Sequence, residues 1–135
     1  MTFVSQQEVR FAHVDAAGIV FYPRYFEMLN AAVEDFFAQH VGVDFRTMHL
    51  DRGIGVPTVK LESEFATPGR LGDRLDFRID VARVGRSSVE LAIEVRCGDM
   101  LRFTARPVLV CMDLKTGRPL AWPIDMRPQE AAEAA

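Results

Sequence analysis

An acidic side chain and the expected start of a helix lie close together within residues 13–23. Asp15 follows a predicted strand, Gly18 marks a turn, and Pro23 stands where a helix can begin. The first amides of a helix are unpaired and partly positive, so they can stabilise a carbonyl oxygen that becomes negative during acyl transfer. Among its apolar neighbours Asp15 is expected to be partly desolvated, and to act as a nucleophile or as the general base for water. The same spacing also fits a simple turn residue or a helix cap.

The other reactive side chains carry weaker signals. His13 and Asp15 could be two metal ligands, but no third ligand stands nearby, so no metal is predicted and His13 is interpreted as a hydrogen-bonding neighbour of the loop. His40 and His49 are expected in surface or capping roles. Cys111 lies in an apolar run without a base beside it, and is interpreted as a small core residue.

The alternation of apolar and polar residues predicts one long helix and five strands. The helix is expected over residues 23–39, where apolar residues recur at helical spacing, with a short helical turn over residues 45–50. Residues 3–11 alternate loosely and are expected to form the first strand. Alternation between glycine turns predicts four further strands, over residues 59–65, 75–81, 89–95 and 100–113. One helix packed on one antiparallel sheet is a two-layer α+β fold.

The last predicted strand has two unusual features. Pro107 lacks the N–H of a ladder hydrogen bond, so a bulge or a sheet edge is expected there. Residues 108–112 are apolar on both faces, which is more apolar surface than a small sheet covers by itself. A homo-oligomer, either a dimer or a tetramer, is therefore expected.

Length and composition exclude several classes of protein. The 135 residues suit one domain, predicted over residues 1–127, followed by a flexible tail over residues 128–135. The net charge of −3 argues against a nucleic-acid partner. No apolar run approaches the roughly 20 residues that span a bilayer, so no membrane partner is expected. With no visible secretory signal and only two cysteines, the expected compartment is a reducing cytoplasm.

The stretch from Val9 to Phe26 resembles the opening signature of the hot-dog-fold acyl-CoA thioesterases, in the branch of the 4-hydroxybenzoyl-CoA thioesterases. The similarity is carried by the motif Asp-x-x-Gly-Ile-Val-x-Tyr-Pro, which begins at Asp15. It implies a hot-dog fold, in which a five-stranded antiparallel sheet wraps a long central helix. It also implies that Asp15 is the catalytic carboxylate, that the backbone N–H of Tyr22 faces the thioester carbonyl, and that Gly18 lets the loop turn beside the substrate.

The same resemblance implies a binding region for coenzyme A and a variable acyl pocket. Arg83, Arg86 and Ser87 match the hairpin that contacts the phosphates and the pantetheine arm. Asn30 and His13 stand where the 4-hydroxybenzoyl branch has acidic residues, so they are expected to bear on the identity of the acyl group. No cofactor is implied, because coenzyme A is part of the substrate.

The expected activity is hydrolysis of a small aromatic or short acyl-CoA. Two alternatives stay open. A thioesterase of the same fold that acts on acyl carrier protein would also use a basic hairpin, because the carrier surface is acidic. A non-catalytic acyl-CoA-binding module is less well matched by the intact Asp15, Gly18 and Tyr22.

Overall fold

The computed structural model describes residues 2–130 of the chain, as one long helix, a five-stranded sheet and a smaller three-stranded sheet. Helix α1 spans Tyr22–Asp35, and shorter helical segments span Phe11–His13, Phe36–Val41 and Thr47–Asp51. The strands are β1 (Phe3–Glu8), β2 (Ile54–Gly55), β3 (Thr58–Phe65), β4 (Arg74–Val84), β5 (Ser88–Cys97), β6 (Met100–Val110), β7 (Met112–Asp113) and β8 (Arg118–Pro119).

The large sheet is antiparallel, with the order β1-β4-β5-β6-β3. The three central strands are joined by short hairpins and alternate strictly, so that one face is buried. The fully buried side chains include Leu75 and Phe77 of β4, Leu91 of β5, and Phe103 of β6. This arrangement confirms the predicted α+β class and the five-stranded antiparallel sheet of the hot-dog fold.

Helix α1 lies across the buried face of this sheet. Its side chains Tyr25, Met28, Leu29, Ala32 and Val33 are buried, which is the apolar stripe expected of a helix that packs on one side. Two polar contacts fix the helix against β1. The hydroxyl of Ser5 donates to the Asp35 carboxylate at 2.7 Å, and the Gln7 amide donates to the Met28 carbonyl at 2.7 Å.

The helical path continues beyond α1 as a wider turn over Phe36–Val41 and ends at Gly42. Gly42 has a φ of 102°, a left-handed conformation that glycine adopts without steric cost, and its N–H donates to the Phe37 carbonyl at 2.7 Å. The predicted end of the helix near residue 39 is therefore close to the observed one.

Pro107 is neither at a bulge nor at an edge, so that prediction was wrong. It lies in the interior strand β6, opposite Leu61 of β3. On its other side, toward β5, Glu90 pairs with Val108 and Ile93 pairs with Ala105 in the same register. No residues are paired between these two positions. The missing N–H is thus accommodated by a gap in the ladder. The nearest irregularity lies in β3, between Thr58 and Lys60.

Strand β3 departs from the expected pattern of burial. It is an edge strand whose apolar side chains Val59, Leu61 and Phe65 are 58%, 38% and 51% exposed. Its alternation predicted a strand correctly, but neither of its faces is buried by this chain.

Three smaller differences concern the ends of the chain and its breaks. The first strand stops at Glu8, and residues 11–13 form a single helical turn. The glycine break near residue 54 contains the short strand β2, which pairs with β7. Of the predicted tail over 128–135, residues 131–135 lie outside the described range; Pro128 is buried, and the Glu130 carboxylate accepts from the Val84 N–H at 2.9 Å.

Within residues 2–130, no helix is both long enough and apolar enough to cross a lipid bilayer.

Candidate active site

The Asp15 segment forms a small, tightly bonded hairpin. Val14 pairs with Val20, the Asp15 N–H donates to the Ile19 carbonyl at 3.0 Å, and the Gly18 N–H donates to the Asp15 carbonyl at 3.0 Å. Gly18 has a φ of 77°, so a side chain there would be strained although space is available. The hairpin therefore holds the Asp15 backbone in one position and depends on Gly18 to close.

The carboxylate of Asp15 is held by its own turn. Its Oδ1 accepts a hydrogen bond from the Ala17 N–H at 2.8 Å, which orients the side chain. Asp15 is exposed in the single chain. Asp15 was predicted to be partly desolvated, but its apolar neighbours in the sequence do not cover its side chain in the single chain.

The start of α1 leaves the backbone N–H of Tyr22 unpaired among the described residues. Phe21 caps the helix with an extended backbone (φ −69°, ψ 116°) and makes no side-chain capping bond. The Arg24 N–H donates to the Phe21 carbonyl at 2.8 Å, and Pro23 has no N–H. Among residues 2–130, the amide of Tyr22 has no acceptor. It lies at the positive end of the helix, where an electron-rich oxygen is stabilised.

The connection between β3 and β4 anchors both the hairpin and the helix. The Val20 N–H donates to the Gly69 carbonyl at 2.8 Å, and the Leu71 N–H donates to the Gly18 carbonyl at 3.1 Å. The Gly69 N–H donates to the phenol oxygen of Tyr25 at 2.7 Å. Burial raises the pKa of Tyr25 above its ordinary value, so the phenol stays protonated at neutral pH. The Asp15 hairpin and the Tyr22 amide are therefore fixed to one rigid frame.

A partly buried ion pair contacts this frame from the side of β6. Arg102 of β6 donates to the Asp73 carboxylate at 3.0 Å and to the Thr67 hydroxyl at 2.9 Å. The Arg102 and Asp73 side chains are only 12% and 18% exposed. The Asp73 carboxylate also accepts from the Arg70 N–H, which closes the connection just before β4.

His13 lies at the end of a helical turn and not on a strand. Its Nδ1 accepts from the Arg10 N–H at 2.8 Å, and its carbonyl accepts from the Phe21 N–H at 2.9 Å. This places His13 beside the entry to α1. Within residues 2–130, no three His, Cys, Asp or Glu side chains converge as metal ligands would, and His13 with Asp15 gains no third partner.

Asn30 lies away from the Asp15 hairpin, further along the helix. It is exposed and lines a cavity of about 670 Å³ between α1, the segment 45–49 and the start of β3. Eight residues separate it from Tyr22, a helical rise of roughly 12 Å. His49, which sequence reasoning assigned to a surface or capping role, lines the same cavity, and no local motif marks it.

The hairpin with Arg83, Arg86 and Ser87 lies at the other end of the sheet. Its backbone is fixed, because the Cys111 N–H donates to the Ser87 carbonyl at 2.7 Å and the Trp122 N–H donates to the Arg86 carbonyl at 3.0 Å. Both arginine side chains are exposed, and no ion pair among the described residues involves them. Arg83 is the last residue but one of β4 and Arg86 follows the end of the strand, whereas the frame of the Asp15 hairpin precedes its start.

The length of β4 therefore separates two regions that were predicted to act on one substrate. The strand spans Arg74–Val84, a path of roughly 33 Å at about 3.3 Å per residue. The structure brings Asp15, Gly18, His13 and the Tyr22 amide together. It does not bring Arg83, Arg86 or Ser87 of the same chain to them.

Comparison with known proteins supports the same family. Residues 9–130 match the family model of the thioesterase-like superfamily. The chain is similar to a 1,4-dihydroxy-2-naphthoyl-CoA hydrolase of Thermosynechococcus vestitus, with 37% identity over 86 residues, covering 64% of this chain and 58% of the relative. It is also similar to a 4-hydroxybenzoyl-CoA thioesterase of Pseudomonas sp., with 31% identity over 84 residues, covering 62% of this chain and 60% of that relative.

The fold comparison agrees. A crystal structure of a 1,4-dihydroxy-2-naphthoyl-CoA thioesterase from Synechocystis superposes with a TM-score of 0.82 at 21% identity, covering 93% of this chain and 92% of that one. Both the predicted hot-dog fold and the predicted enzyme class, a thioester hydrolase, agree with these relatives. The matched segments span only 58% and 60% of the lengths of the two sequence relatives.

Proposed function

The chain belongs to the thioesterase-like superfamily, and we propose that it hydrolyses the thioester of an acyl-CoA whose acyl group is a hydroxylated aromatic ring. Both named relatives act on substrates of that kind, one a dihydroxynaphthoyl and the other a hydroxybenzoyl ester. The observation that carries the proposal is the rigid hairpin that presents an oriented Asp15 carboxylate and leads directly to the unpaired Tyr22 amide.

In the proposed reaction the Tyr22 N–H donates to the thioester carbonyl oxygen. This donor stabilises the negative charge that develops on the oxygen as the carbonyl carbon becomes tetrahedral. Asp15 either attacks that carbon, giving a mixed anhydride that water then hydrolyses, or removes a proton from the attacking water. In both routes the carbon–sulfur bond breaks, the thiolate of coenzyme A leaves, and the acyl group ends as a carboxylic acid. No step requires a cofactor.

The remaining predicted residues have supporting roles in this proposal. Gly18 closes the hairpin, and His13 holds the entry to the helix through its contacts with Arg10 and Phe21. Asn30 lies at the cavity further along α1 and contacts the acyl group. Arg83, Arg86 and Ser87 bind the phosphates and the arm of coenzyme A, because exposed guanidinium groups suit phosphate oxygens.

The proposed function requires a homo-oligomer. The arginine hairpin lies a full strand away from Asp15 of its own chain, so a second copy must supply it to each site. The exposed edge of β3 supports an assembly, because an unpaired strand with exposed Val59, Leu61 and Phe65 is a surface that proteins usually cover. A dimer or a tetramer would also cover Asp15 and supply the desolvation that the single chain lacks.

The test is release of free thiol from 1,4-dihydroxy-2-naphthoyl-CoA, 4-hydroxybenzoyl-CoA and a short-chain acyl-CoA. Wild-type protein is expected to prefer the aromatic esters. Asp15→Asn should lower kcat by about 10²–10⁴, the usual contribution of a catalytic acid–base group. Asp99→Asn, in the β5–β6 turn, is the matched control and should retain wild-type turnover.

Three results would count against the proposal. If Asp15→Asn keeps wild-type turnover, Asp15 is not catalytic. If wild-type protein releases thiol from acyl groups on acyl carrier protein but not from the free acyl-CoA esters, the carrier-protein alternative replaces the proposal. Tight binding of the esters without thiol release would instead indicate a non-catalytic binding module.

A further inference from the structure

The cavity beside α1 is large enough to hold an aromatic acyl group. Its volume is about 670 Å³, within the range of small-molecule sites. Most of its wall is apolar, including Phe45, Val56, Leu109 and Met112. An apolar wall with a few polar groups is the usual composition of a pocket that binds a ring and fixes its orientation.

The cavity begins close to the proposed reaction centre. Its first wall residue on α1 is Glu27, five residues after Tyr22, a rise of roughly 7.5 Å along the helix axis. A thioester whose carbonyl oxygen contacts the Tyr22 amide can therefore extend its acyl group along the helix, toward Asn30 and into the cavity. Glu27 is already paired with Arg24 at 2.6 Å, so it is not a free acceptor.

His49 forms part of the opposite wall with a fixed ring. Its Nδ1 lies 2.8 Å from the Phe45 carbonyl oxygen, and its ring packs on the Phe45 ring at a centroid distance of 4.9 Å. Because a carbonyl oxygen only accepts, Nδ1 carries the proton and Nε2 of the neutral ring is an acceptor.

The free nitrogen of His49 lies against a glycine. Its Nε2 is 3.5 Å from the position that a Cβ would take at Gly55, another residue of the cavity wall. Among residues 2–130, Nε2 has no hydrogen-bond partner, and the side chain is half-buried. A fixed, partly desolvated acceptor in an apolar wall favours a ligand that donates a proton to it.

We propose that His49 determines the specificity for ring hydroxyl groups, its Nε2 accepting a hydrogen bond from a phenolic hydroxyl of the acyl ring. The inference rests on the proposed function and names the group that recognises the substrate. The hydroxyl group is the feature that the two relatives' named substrates share. Once the acyl ring fills the cavity, a ring without this hydroxyl leaves the Nε2 acceptor without a partner and is disfavoured for that reason.

The test compares 4-hydroxybenzoyl-CoA with benzoyl-CoA, which lacks the hydroxyl, in wild type and two variants. His49→Phe keeps a flat ring but removes the acceptor, and His49→Gln keeps an acceptor. In wild type, kcat/KM should favour the hydroxylated ester by about tenfold, the worth of one desolvated hydrogen bond. His49→Phe should abolish this preference, because kcat/KM for the hydroxylated ester falls about tenfold further than kcat/KM for benzoyl-CoA. His49→Gln should keep part of the preference.

His40→Phe is the matched control, because His40 is an exposed histidine outside the cavity, and it should keep the full preference. An unchanged preference in His49→Phe overturns the inference. An equal loss on both esters together with a lower melting temperature also overturns it, since His49 then has only a structural role. If wild-type protein hydrolyses both esters equally well, the inference fails and the proposed function stands. If it hydrolyses neither of these two esters, the inference fails. If it also leaves 1,4-dihydroxy-2-naphthoyl-CoA intact, the proposed function fails with it.

Discussion

Gly69 contacts the start of α1 and the Asp15 hairpin through the two polar groups of its own backbone. Its N–H donates to the Tyr25 phenol oxygen at 2.7 Å, and its carbonyl accepts from the Val20 N–H at 2.8 Å. A Cβ at this position would lie 2.7 Å from the Tyr25 oxygen and 3.0 Å from the Val20 side chain. Only glycine therefore allows the two proposed catalytic elements to share this anchor.

Removal of the Tyr25 hydroxyl should weaken the anchor without creating a large cavity. In Tyr25→Phe the buried Gly69 N–H loses its acceptor, and an unsatisfied buried donor costs about 1–3 kcal/mol of folding free energy. Urea unfolding should show this loss, and kcat should fall because the Tyr22 amide is less well positioned. An unfolding free energy within about 0.5 kcal/mol of wild type, the usual scatter for surface changes, would contradict the anchoring role.

Mixing of two impaired variants should restore activity if each site uses residues of two chains. Arg86→Ala should raise KM by about tenfold, because it removes a charge-assisted contact to phosphate. When Arg86→Ala and Asp15→Asn are unfolded together and refolded, a mixed dimer contains one intact site. At substrate concentrations well below KM, about a quarter of wild-type activity is expected, since half of randomly formed symmetric dimers are mixed and one of their two sites is intact.

The refolding experiment has a clear opposite outcome. If Arg86 served Asp15 of its own chain, a mixed dimer would contain no intact site, and activity would not exceed the mean of the two variants. Arg78→Ala, an exposed arginine in the middle of β4, should leave KM unchanged and serves as the control for loss of positive charge.

A lysine on the β3 edge should dissociate the proposed assembly. Leu61→Lys places a charge on the exposed edge, a change that natural edge strands use to prevent pairing. Sedimentation equilibrium should show a shift toward monomer, and thiol release should fall because the arginine hairpin of the second copy is lost. Val4→Lys, on the opposite edge strand and 46% exposed, should retain the wild-type mass. An unchanged mass in Leu61→Lys would exclude this edge as the interface.

An ion pair near the end of the described chain should make stability depend on pH. Arg52 donates to both carboxylate oxygens of Asp125, at 2.7 and 3.0 Å, and these hydrogen bonds hold the pKa of Asp125 below its ordinary value. The unfolded chain therefore takes up a proton at a higher pH than the folded one. The stabilisation is complete above the ordinary aspartate pKa of about 3.9 and is lost as pH falls through the lower folded value.

Urea unfolding of wild type and Asp125→Asn at several pH values measures this dependence. The difference in unfolding free energy between wild type and Asp125→Asn should be constant near neutral pH and should shrink in acid. Asp51→Asn removes an exposed carboxylate that has no hydrogen-bond or ion-pair partner among residues 2–130; it is the control and should follow wild type at every pH. If this difference in unfolding free energy persists unchanged well below pH 4, the Arg52–Asp125 pair does not stabilise the fold through the charge on Asp125.

From the sequence alone the long helix and the five main strands could be placed in order, and the family resemblance carried by the Asp15 motif implied the type of chemistry. Alternation with period two and short glycine turns leaves few ways to arrange β4, β5 and β6 other than an antiparallel meander. The motif from Asp15 through Gly18 to Tyr22 is local in the sequence, and the bonds that close its hairpin join residues fewer than ten positions apart. Both features depend on near neighbours in the chain, and both could be predicted for that reason.

The tertiary structure alone decided how distant groups are placed. Pro107 was predicted at a bulge or an edge, but a gap in an interior ladder accommodates it, which depends on both neighbouring strands. Burial cannot be deduced from sequence neighbours either: Asp15 has apolar neighbours and is exposed, and β3 alternates and is covered on neither face.

The same reasoning applies to the candidate site. The arginine hairpin and Asp15 are separated by the length of β4, and His49 reaches the cavity beside Asn30 only because the chain folds back after α1. Such distances arise from contacts between residues far apart in the chain, which no local pattern records. The sequence thus determined which groups are present and how each is locally held, while the fold decided which of them can meet one substrate.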